Sequence, residues 1–133
     1  MREKPLVLIV DDEEVFLEIA AIKLREGGFD TALAMGVRDA LEKTERLLPD
    51  FVLSDVNMPP GPSGWELALE LRRNPKTHEI KFAFFTSLRD PWTELREDRS
   101  AVTAELGEIA FVSKVDEVER LAERVSALIK RSK

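Results

Sequence analysis

The chain has 133 residues, of which 44% are hydrophobic, and this is enough for one domain with a buried core. The formal net charge of −6 argues against a nucleic-acid surface, because such a surface needs a basic patch to neutralise phosphates. The absence of cysteine excludes disulfides, zinc–thiolate sites and thiol catalysis. No apolar run has the length of a transmembrane helix and the first residues are no signal peptide, so we expect a cytoplasmic protein that binds neither membrane nor nucleic acid directly.

Five apolar runs predict β-strands. They are Leu6–Val10, Thr31–Met35, Phe51–Ser54, Lys81–Thr86 and Ala110–Ser113. The first run has no polar alternation, which is typical of a central parallel strand that is covered on both faces.

Helical spacing of apolar residues separates these strands. The first helix is predicted from Val15, Phe16, Ile19, Ala20, Ile22 and Leu24, with Gly27 and Gly28 ending it, and the second from Val37, Ala40, Leu41, Leu47 and Leu48, with Pro49 and Asp50 closing it. The third runs from Gly64 to Arg73 with Leu67, Ala68 and Leu71 inward, the fourth opens at Asp90-Pro91, and the last has an apolar stripe of Val118, Leu121, Ala122, Val125, Leu128 and Ile129.

The last helix is predicted to begin with Asp116 as its N-cap and Glu119 completing a capping box. Five strands alternating with five helices predict a doubly wound α/β fold, a parallel sheet with helices on both faces. We expect one domain over residues 1–133, with its core at about residues 5–130.

Polar residues follow the predicted strands at the point where each strand ends. Asp11 and Asp12 follow the first strand, Asp55 the third, while Thr86 ends the fourth and Lys114 follows the fifth. Because ligands bind at the carboxyl ends of strands in open α/β sheets, these side chains should meet in one cleft. Three carboxylates would raise one another's pKa unless a cation lay among them. Oxygen ligands without His or Cys favour Mg²⁺, with Mn²⁺ as its substitute.

This set of residues suits phosphoryl transfer. An Asp can attack phosphorus to form an acyl phosphate, so Asp55 is the candidate nucleophile. Lys114 and Thr86 would then stabilise the phosphoryl oxygens together with the metal. Each residue also has an ordinary structural interpretation: a turn residue for Asp55, helix-dipole complementarity for the acidic pair, a turn hydroxyl for Thr86 and a solvated Lys114. Their placement at the ends of different strands favours the functional interpretation.

Four segments make the chain resemble the response regulator receiver domain, a flavodoxin-like family with strand order 2-1-3-4-5. They are Val10-Asp11-Asp12-Glu13, Asp55-Val56-Asn57-Met58-Pro59, Phe85-Thr86-Ser87 and Phe111-Val112-Ser113-Lys114. The similarity covers nearly the whole chain, and the segments together are highly specific.

The resemblance implies a role for each matching residue. Asp55 would be the phosphoacceptor, with Thr86 and Lys114 gripping the phosphoryl group. The resemblance implies that Asp12, Asp55 and the backbone carbonyl of Asn57 bind Mg²⁺, and that Asp11 acts mainly through a metal-bound water. Phe111 matches the switch aromatic residue, which would move inward with Thr86 and change the face built from the predicted fourth helix, the fifth strand and the last helix.

The sequence departs from the family pattern in three places. Gly64 comes one residue later than in most members, after a Pro-rich loop with Ser63 where an Asp is common. Lys114 lies 28 positions after Thr86, which indicates an insertion in the 88–107 segment. This segment contributes to the face built from the predicted fourth helix, the fifth strand and the last helix. Val115 replaces the usual Pro and its cis bond; a cis peptide there would cost about 2.5–4 kcal/mol, so we expect a trans turn or a bond held by strong contacts.

Five residues invite separate interpretation. Asn57 and Leu88 fall where relatives tune dephosphorylation, and an apolar Leu88 cannot orient an attacking water, so we expect a long-lived phosphoryl group. His78 lies in a polar loop away from the acidic edge and is not expected to relay phosphate. Burial is the expectation for Trp65 and Trp92, with an exposed partner anchor as the alternative for Trp92.

The function implied is two-component phosphorelay signalling: Asp55 would accept phosphate from a histidine kinase or a histidine phosphotransfer protein, and the changed face would bind a downstream protein. Such a domain assists its own phosphorylation without being a turnover enzyme. One alternative is a Mg²⁺-dependent phosphatase with an aspartyl-phosphate intermediate, although Asn57 replaces the second Asp that such enzymes carry. Another is a phosphorylation-independent binding module. A homodimer through the last helix stays open.

Overall fold

The computed structural model describes residues 3–56, 58, 64–87, 106 and 110–130. Five strands form one parallel sheet in the order β2-β1-β3-β4-β5. The strands are β1 (Leu6–Val10), β2 (Asp30–Ala34), β3 (Phe51–Ser54), β4 (Lys81–Thr86) and β5 (Ala110–Ser113). The predicted doubly wound α/β class and the strand order 2-1-3-4-5 are confirmed. Four of the five predicted strand ranges are confirmed, while β2 begins and ends one residue earlier than predicted.

Three helices alternate with the strands before β4, and a fourth follows β5. They are α1 (Glu14–Glu26), α2 (Val37–Leu47), α3 (Gly64–Arg73) and the last helix (Leu121–Lys130), which a 3₁₀ turn over Val118–Arg120 precedes. The helix predicted from Asp90 lies outside the described residues, as do Leu88 and Trp92. Within the described ranges, no helix has the length and apolar character that a bilayer crossing requires.

The sheet separates two apolar cores because successive side chains of each strand point to opposite faces. Val7 and Ile9 of β1 pack with α1 and the last helix on one face, while Leu8 and Val10 pack with α2 and α3 on the other. All four are at most 1% exposed, so β1 is covered on both sides. This placement leaves the polar residues at the carboxyl ends of the strands outside both apolar cores.

The apolar stripe predicted for α1 is partly wrong. Val15 and Ile22 are 65% and 51% exposed, whereas Leu17, Ala20, Ala21 and Leu24 are buried. The buried residues are spaced i, i+3, i+4 and i+7, which is the true inward face of the helix. Gly27 and Gly28 end the helix as predicted, and Gly28 has the positive φ of 96° that glycine tolerates.

The predicted start of the last helix is wrong. Asp116 is no N-cap: its backbone N–H donates to Ser113 Oγ (2.9 Å), and the α-helix begins only at Leu121. Glu119 completes no capping box, since its carboxylate accepts from Lys23 Nζ of α1 at 2.6 Å. The predicted apolar stripe is confirmed, because its six residues are buried or pack against the core.

Candidate functional site

Three carboxylates meet at the carboxyl edge of the sheet. One oxygen each from Asp11, Asp12 and Asp55 lie within 4.8 Å of one another. The sheet itself brings them together: the Asp55 N–H donates to the carbonyl of Val10 (2.8 Å) and the Asp11 N–H to that of Ala34 (3.1 Å), so the parallel ladder continues one residue past β1 and β3. The prediction that separate strand ends gather these side chains is therefore confirmed for the three Asp residues.

Lys114 completes this cluster from the end of β5. Its Nζ lies 2.6 Å from Asp11 Oδ2 and 3.5 Å from Asp55 Oδ1. The Lys114 side chain is 3% exposed and that of Asp11 is fully buried. The Lys114 backbone N–H donates to the carbonyl of Thr86 (2.8 Å), and this bond holds the base of the Lys114 side chain against β4. The buried pair with Asp11 thus holds the ammonium beside the Asp55 carboxylate.

The Asp55 carboxyl is oriented by its own backbone. Its Oδ1 accepts from the Val56 N–H at 2.8 Å, and 14% of the side chain is exposed. Burial raises the pKa of Asp55 to about 6; Lys114 and the Val56 N–H oppose this rise, while Asp11 and Asp12 add to it. Desolvation and like charge thus destabilise the ionised form, and a cation among the carboxylates would relieve both.

The residues present fit a divalent cation. The donors are carboxylate oxygens, which Mg²⁺ and Mn²⁺ prefer. Asp11 Oδ1 accepts from the Glu13 N–H at 2.9 Å. The contact of Oδ2 with the ammonium is an ion pair without hydrogen-bond geometry, so this buried oxygen accepts no hydrogen bond from the described residues. A buried carboxylate oxygen that accepts no hydrogen bond can bind a metal cation or accept a hydrogen bond from a bound water.

The remaining predicted site residues are Thr86, Phe111 and Asn57. Thr86 is 3% exposed and ends β4, in register with Ser113 of β5. Phe111 is partly buried, and its ring stacks on Phe84 at a centroid distance of 5.5 Å. Asn57, like the 59–63 part of the acceptor loop, lies outside the described residues.

Sequence reasoning missed two contacts of the site. The Phe16 ring lies beneath Lys114, with its centroid 4.1 Å from Nζ, and Phe85 lies at 5.5 Å. No sequence pattern indicated the first contact, because only the packing of α1 on the sheet brings Phe16 to Lys114. Gly64 lies so close to Asp55 that a Cβ on Gly64 would stand 1.9 Å from the backbone carbonyl oxygen of Asp55. The presence of a glycine at this position was the indication of this contact in the sequence.

Comparison with known protein families identifies the family of this chain. The sequence profile of the response regulator receiver domain matches residues 7–126. The chain belongs to this family. The suspected resemblance is thus confirmed, and the chain is a receiver domain of two-component signal transduction.

Individual relatives agree with this assignment. The receiver domain is 30% identical over 126 residues to the phosphate regulon transcriptional regulatory protein PhoB of Pseudomonas aeruginosa, covering 95% of this chain and 52% of the relative. The chain therefore spans about half the length of that curated relative. Among solved structures it matches the signal receiver domain of a signal transduction histidine kinase from Syntrophus aciditrophicus, with 28% identity, a TM-score of 0.76 and coverage of 95% and 90%.

A further solved structure shares the fold. The chemotaxis response regulator CheY4 of Vibrio cholerae has a TM-score of 0.79 at 22% identity, with 94% of this chain and 98% of that chain covered. The fold is thus kept across wide sequence divergence.

Proposed function

We propose that this receiver domain accepts a phosphoryl group on Asp55 in a Mg²⁺-dependent reaction and passes the signal to a protein partner. The observation that carries the proposal is the meeting of three carboxylates within 4.8 Å, with the Lys114 ammonium 3.5 Å from the acceptor oxygen. Metal ligands, a nucleophile and a cation for the phosphoryl oxygens are the groups that the transfer requires.

The residues of the cluster divide the tasks of this mechanism, and Asp55 has two of them. Asp12 and Asp55, with the backbone carbonyl of Asn57, would hold Mg²⁺, and Asp11 would act through a metal-bound water. The metal, when bound, neutralises the charge that develops on the phosphoryl oxygens. An Asp55 oxygen attacks phosphorus, the bond from phosphorus to the donor nitrogen breaks, and the donor imidazole leaves with the electron pair. Lys114 pairs a phosphoryl oxygen and Thr86 donates its hydroxyl to another.

The donor would be a phosphohistidine protein, either a histidine kinase or a histidine phosphotransfer protein. The response would be an inward movement of Phe111 that changes the face of β5, the last helix and the 88–107 segment for a downstream partner. Because the domain would be modified on its own Asp55, we propose a signalling role without substrate turnover. We also propose that the domain acts in the cytoplasm. One domain over residues 1–133 and a long-lived phosphoryl group complete the proposal.

The test is the intact mass of the protein after incubation with Mg²⁺ and acetyl phosphate. Wild type should gain one phosphoryl group, and Asp55→Asn should gain none. Asp30→Asn is the matched control, because Asp30 is exposed at the start of β2, at the opposite edge of the sheet. Decay of the adduct over hours would support the long-lived state.

Two results would redirect the function. No adduct on wild type, with no Mg²⁺ binding, would favour the phosphorylation-independent binding module. Decay of the adduct within seconds, with continuous release of phosphate from an excess of donor at the same rate, would favour the phosphatase.

A further inference from the structure

The connection from β5 to the last helix carries Lys114, and in this chain it lacks the proline that usually follows that lysine. Val115 occupies the position and is 69% exposed, so its side chain does not hold the turn by packing. A lysine ammonium on a flexible four-carbon stem needs a fixed backbone to keep one position. Some other contacts must therefore fix the backbone of Lys114.

Ser113 supplies one set of these contacts. Its Oγ accepts from the backbone N–H groups of Val115 (3.1 Å) and Asp116 (2.9 Å). Its backbone carbonyl accepts from the Glu117 N–H at 3.1 Å. The hydroxyl of a serine commonly closes such a turn, and here the closed turn encloses Lys114.

Glu117 closes the same turn from its other end. Glu117 Oε1 accepts from the Ser113 N–H at 2.8 Å, so the two residues bind each other reciprocally through backbone and side chain. Glu117 Oε2 accepts from Arg124 Nε of the last helix at 3.0 Å, and the guanidinium also donates to the carbonyl of Phe111 (3.4 Å). The single carboxylate of Glu117 thus ties the turn to both the helix and β5.

The partial exposure of the Glu117–Arg124 pair limits its energetic contribution. The two side chains are about one-third exposed, and ion pairs of that kind add little to stability. The contact from Glu117 to the Ser113 N–H is different in kind, because it fixes the residue directly before Lys114. A change there displaces the base of a side chain whose Nζ lies 2.6 Å from Asp11 and 3.5 Å from Asp55.

We propose that Glu117, acting with Ser113, is a positioning residue that holds the Lys114 ammonium where the phosphoryl group of Asp55 forms. This role rests on the proposed function, since it concerns the rate at which Asp55 is phosphorylated. Glu117 touches neither the carboxylates nor the phosphoryl group and acts through the backbone of residues 113–117. The Ser113–Glu117 turn takes the place of the ring constraint that proline gives.

The experiment compares phosphorylation rates with acetyl phosphate at saturating Mg²⁺, together with the Mg²⁺ dissociation constant. Glu117→Ala should slow phosphorylation about tenfold, because small displacements of a positioned group cost rate steeply. Glu117→Gln should stay within about threefold of wild type, since its amide oxygen still accepts from the Ser113 N–H. Glu119→Ala is the matched control, because Glu119 is 77% exposed and pairs with Lys23 away from the turn.

Two further readouts separate positioning from a general loss of structure. The Mg²⁺ dissociation constant should stay within about twofold of wild type in Glu117→Ala, because the ligand carboxylates are untouched. In a Lys114→Ala background, Glu117→Ala should cause no additional slowing, since residues that act through one group are not additive. Should Glu117→Ala fold poorly, Ser113→Ala and Ser113→Thr replace it; the alanine should slow the reaction and the threonine, which keeps the oxygen, should restore it.

Three outcomes would overturn the role. One is a wild-type rate in Glu117→Ala, and another is equal slowing by Glu117→Ala with and without Lys114. The third is a Glu117→Gln rate as low as that of Glu117→Ala, which would remove the bond to Ser113 from the argument. A wild type that takes no phosphoryl group is the separate failure of the proposed function, and the positioning role falls with it.

Discussion

At Asp55 a side chain that is 14% exposed lies beside two other carboxylates. The charged form is therefore costly when no cation is present, and the pKa rises to about 6. A raised pKa in a carboxyl means that the folded state binds the proton more tightly than the unfolded state does. Stability from this group is greatest at low pH and is lost as the pH rises from about 4 through 6.

We expect Asp55→Asn to stabilise the protein in EDTA at pH 8. The neutral side chain avoids the cost of ionising Asp55, which corresponds to about 3 kcal/mol over the full titration and roughly 1 to 2 kcal/mol between pH 8 and pH 5. The advantage of the mutant should therefore shrink as the pH falls. Urea unfolding of both proteins at pH 8, 6.5 and 5 would measure it. A difference that is constant with pH would contradict the argument.

Lys114 offers a second prediction, because its pair with Asp11 is buried. In metal-free protein, Lys114→Met should lower the free energy of unfolding by about 3–5 kcal/mol, since it leaves the Asp11 charge without a partner. Adding Asp11→Asn should recover most of that loss. The control is Lys23→Met, whose ion pair with Glu119 has the same 2.6 Å distance but lies at the surface.

The control pair should contribute much less than the buried pair, because solvent screens exposed charges. Chemical denaturation of the four proteins gives the comparison. An equal loss in the two single Lys variants would show that burial does not set the cost.

At the scale of the elements, α3 begins in close contact with the residues that follow β3. The Gly64 N–H donates to the carbonyl of Val56 at 2.9 Å, and an added Cβ would meet the Asp55 carbonyl oxygen at 1.9 Å. These two contacts place the first residue of α3 directly against the backbone of Asp55 and Val56. Glycine is required here by space, since a side chain has no room.

We expect Gly64→Ala to lower the free energy of unfolding by more than about 2 kcal/mol, because the backbone must shift to make room. Phosphorylation of Asp55 should fall with it, since that backbone carries the acceptor. Gly36→Ala is the control: a Cβ there meets nothing within 4 Å, so its cost should stay below about 1 kcal/mol. Thermal unfolding and acetyl phosphate labelling of the two variants would test this, and a harmless Gly64→Ala would refute the steric argument.

The strands were predictable because buried apolar runs with turn residues at both ends leave little choice of structure. The carboxylate cluster followed from them, since the ends of parallel strands share one edge. The inward face of α1 could not be predicted in the same way. Val15 and Ile22 are apolar yet exposed, and an analysis of periodicity counts them as core residues. The start of the last helix was missed for a different reason. The Asp116 N–H donates to Ser113 Oγ, and the sequence pattern of a capping box does not show which side-chain oxygen accepts from which backbone N–H.

Contacts that depend on tertiary placement were beyond the sequence. Phe16 lies one turn into α1, and only the packing of that helix on the sheet brings its ring 4.1 Å from the Lys114 ammonium. The Ser113–Glu117 turn combines local and distant partners, because Arg124 holds Glu117 from the last helix. The nearby pattern Ser-x-x-x-Glu was visible, but its four-residue spacing differs from that of a capping box.

For the whole molecule, the match in fold to CheY4 at 22% identity shows that many sequences build this sheet. Sequence differences accumulate where the fold permits them, and in this chain they include Val115. The Ser113–Glu117 turn is how the fold accommodates Val115. The carboxylate cluster is a cost to the fold in the absence of a cation, so stability and metal binding should be coupled through the entire domain.

That coupling predicts that Mg²⁺ raises the melting temperature at neutral pH. Binding to the native state alone adds RT ln(1 + [Mg²⁺]/Kd), or about 2.7 kcal/mol at one hundred times Kd. Mn²⁺ should act similarly, whereas NaCl at equal ionic strength should not, because screening alone does not bridge three carboxylates. Asp12→Asn should weaken the effect and the exposed Asp39→Asn of α2 should leave it intact. If NaCl reproduced the shift, or if Asp12→Asn kept it whole, the carboxylates would hold no specific ion.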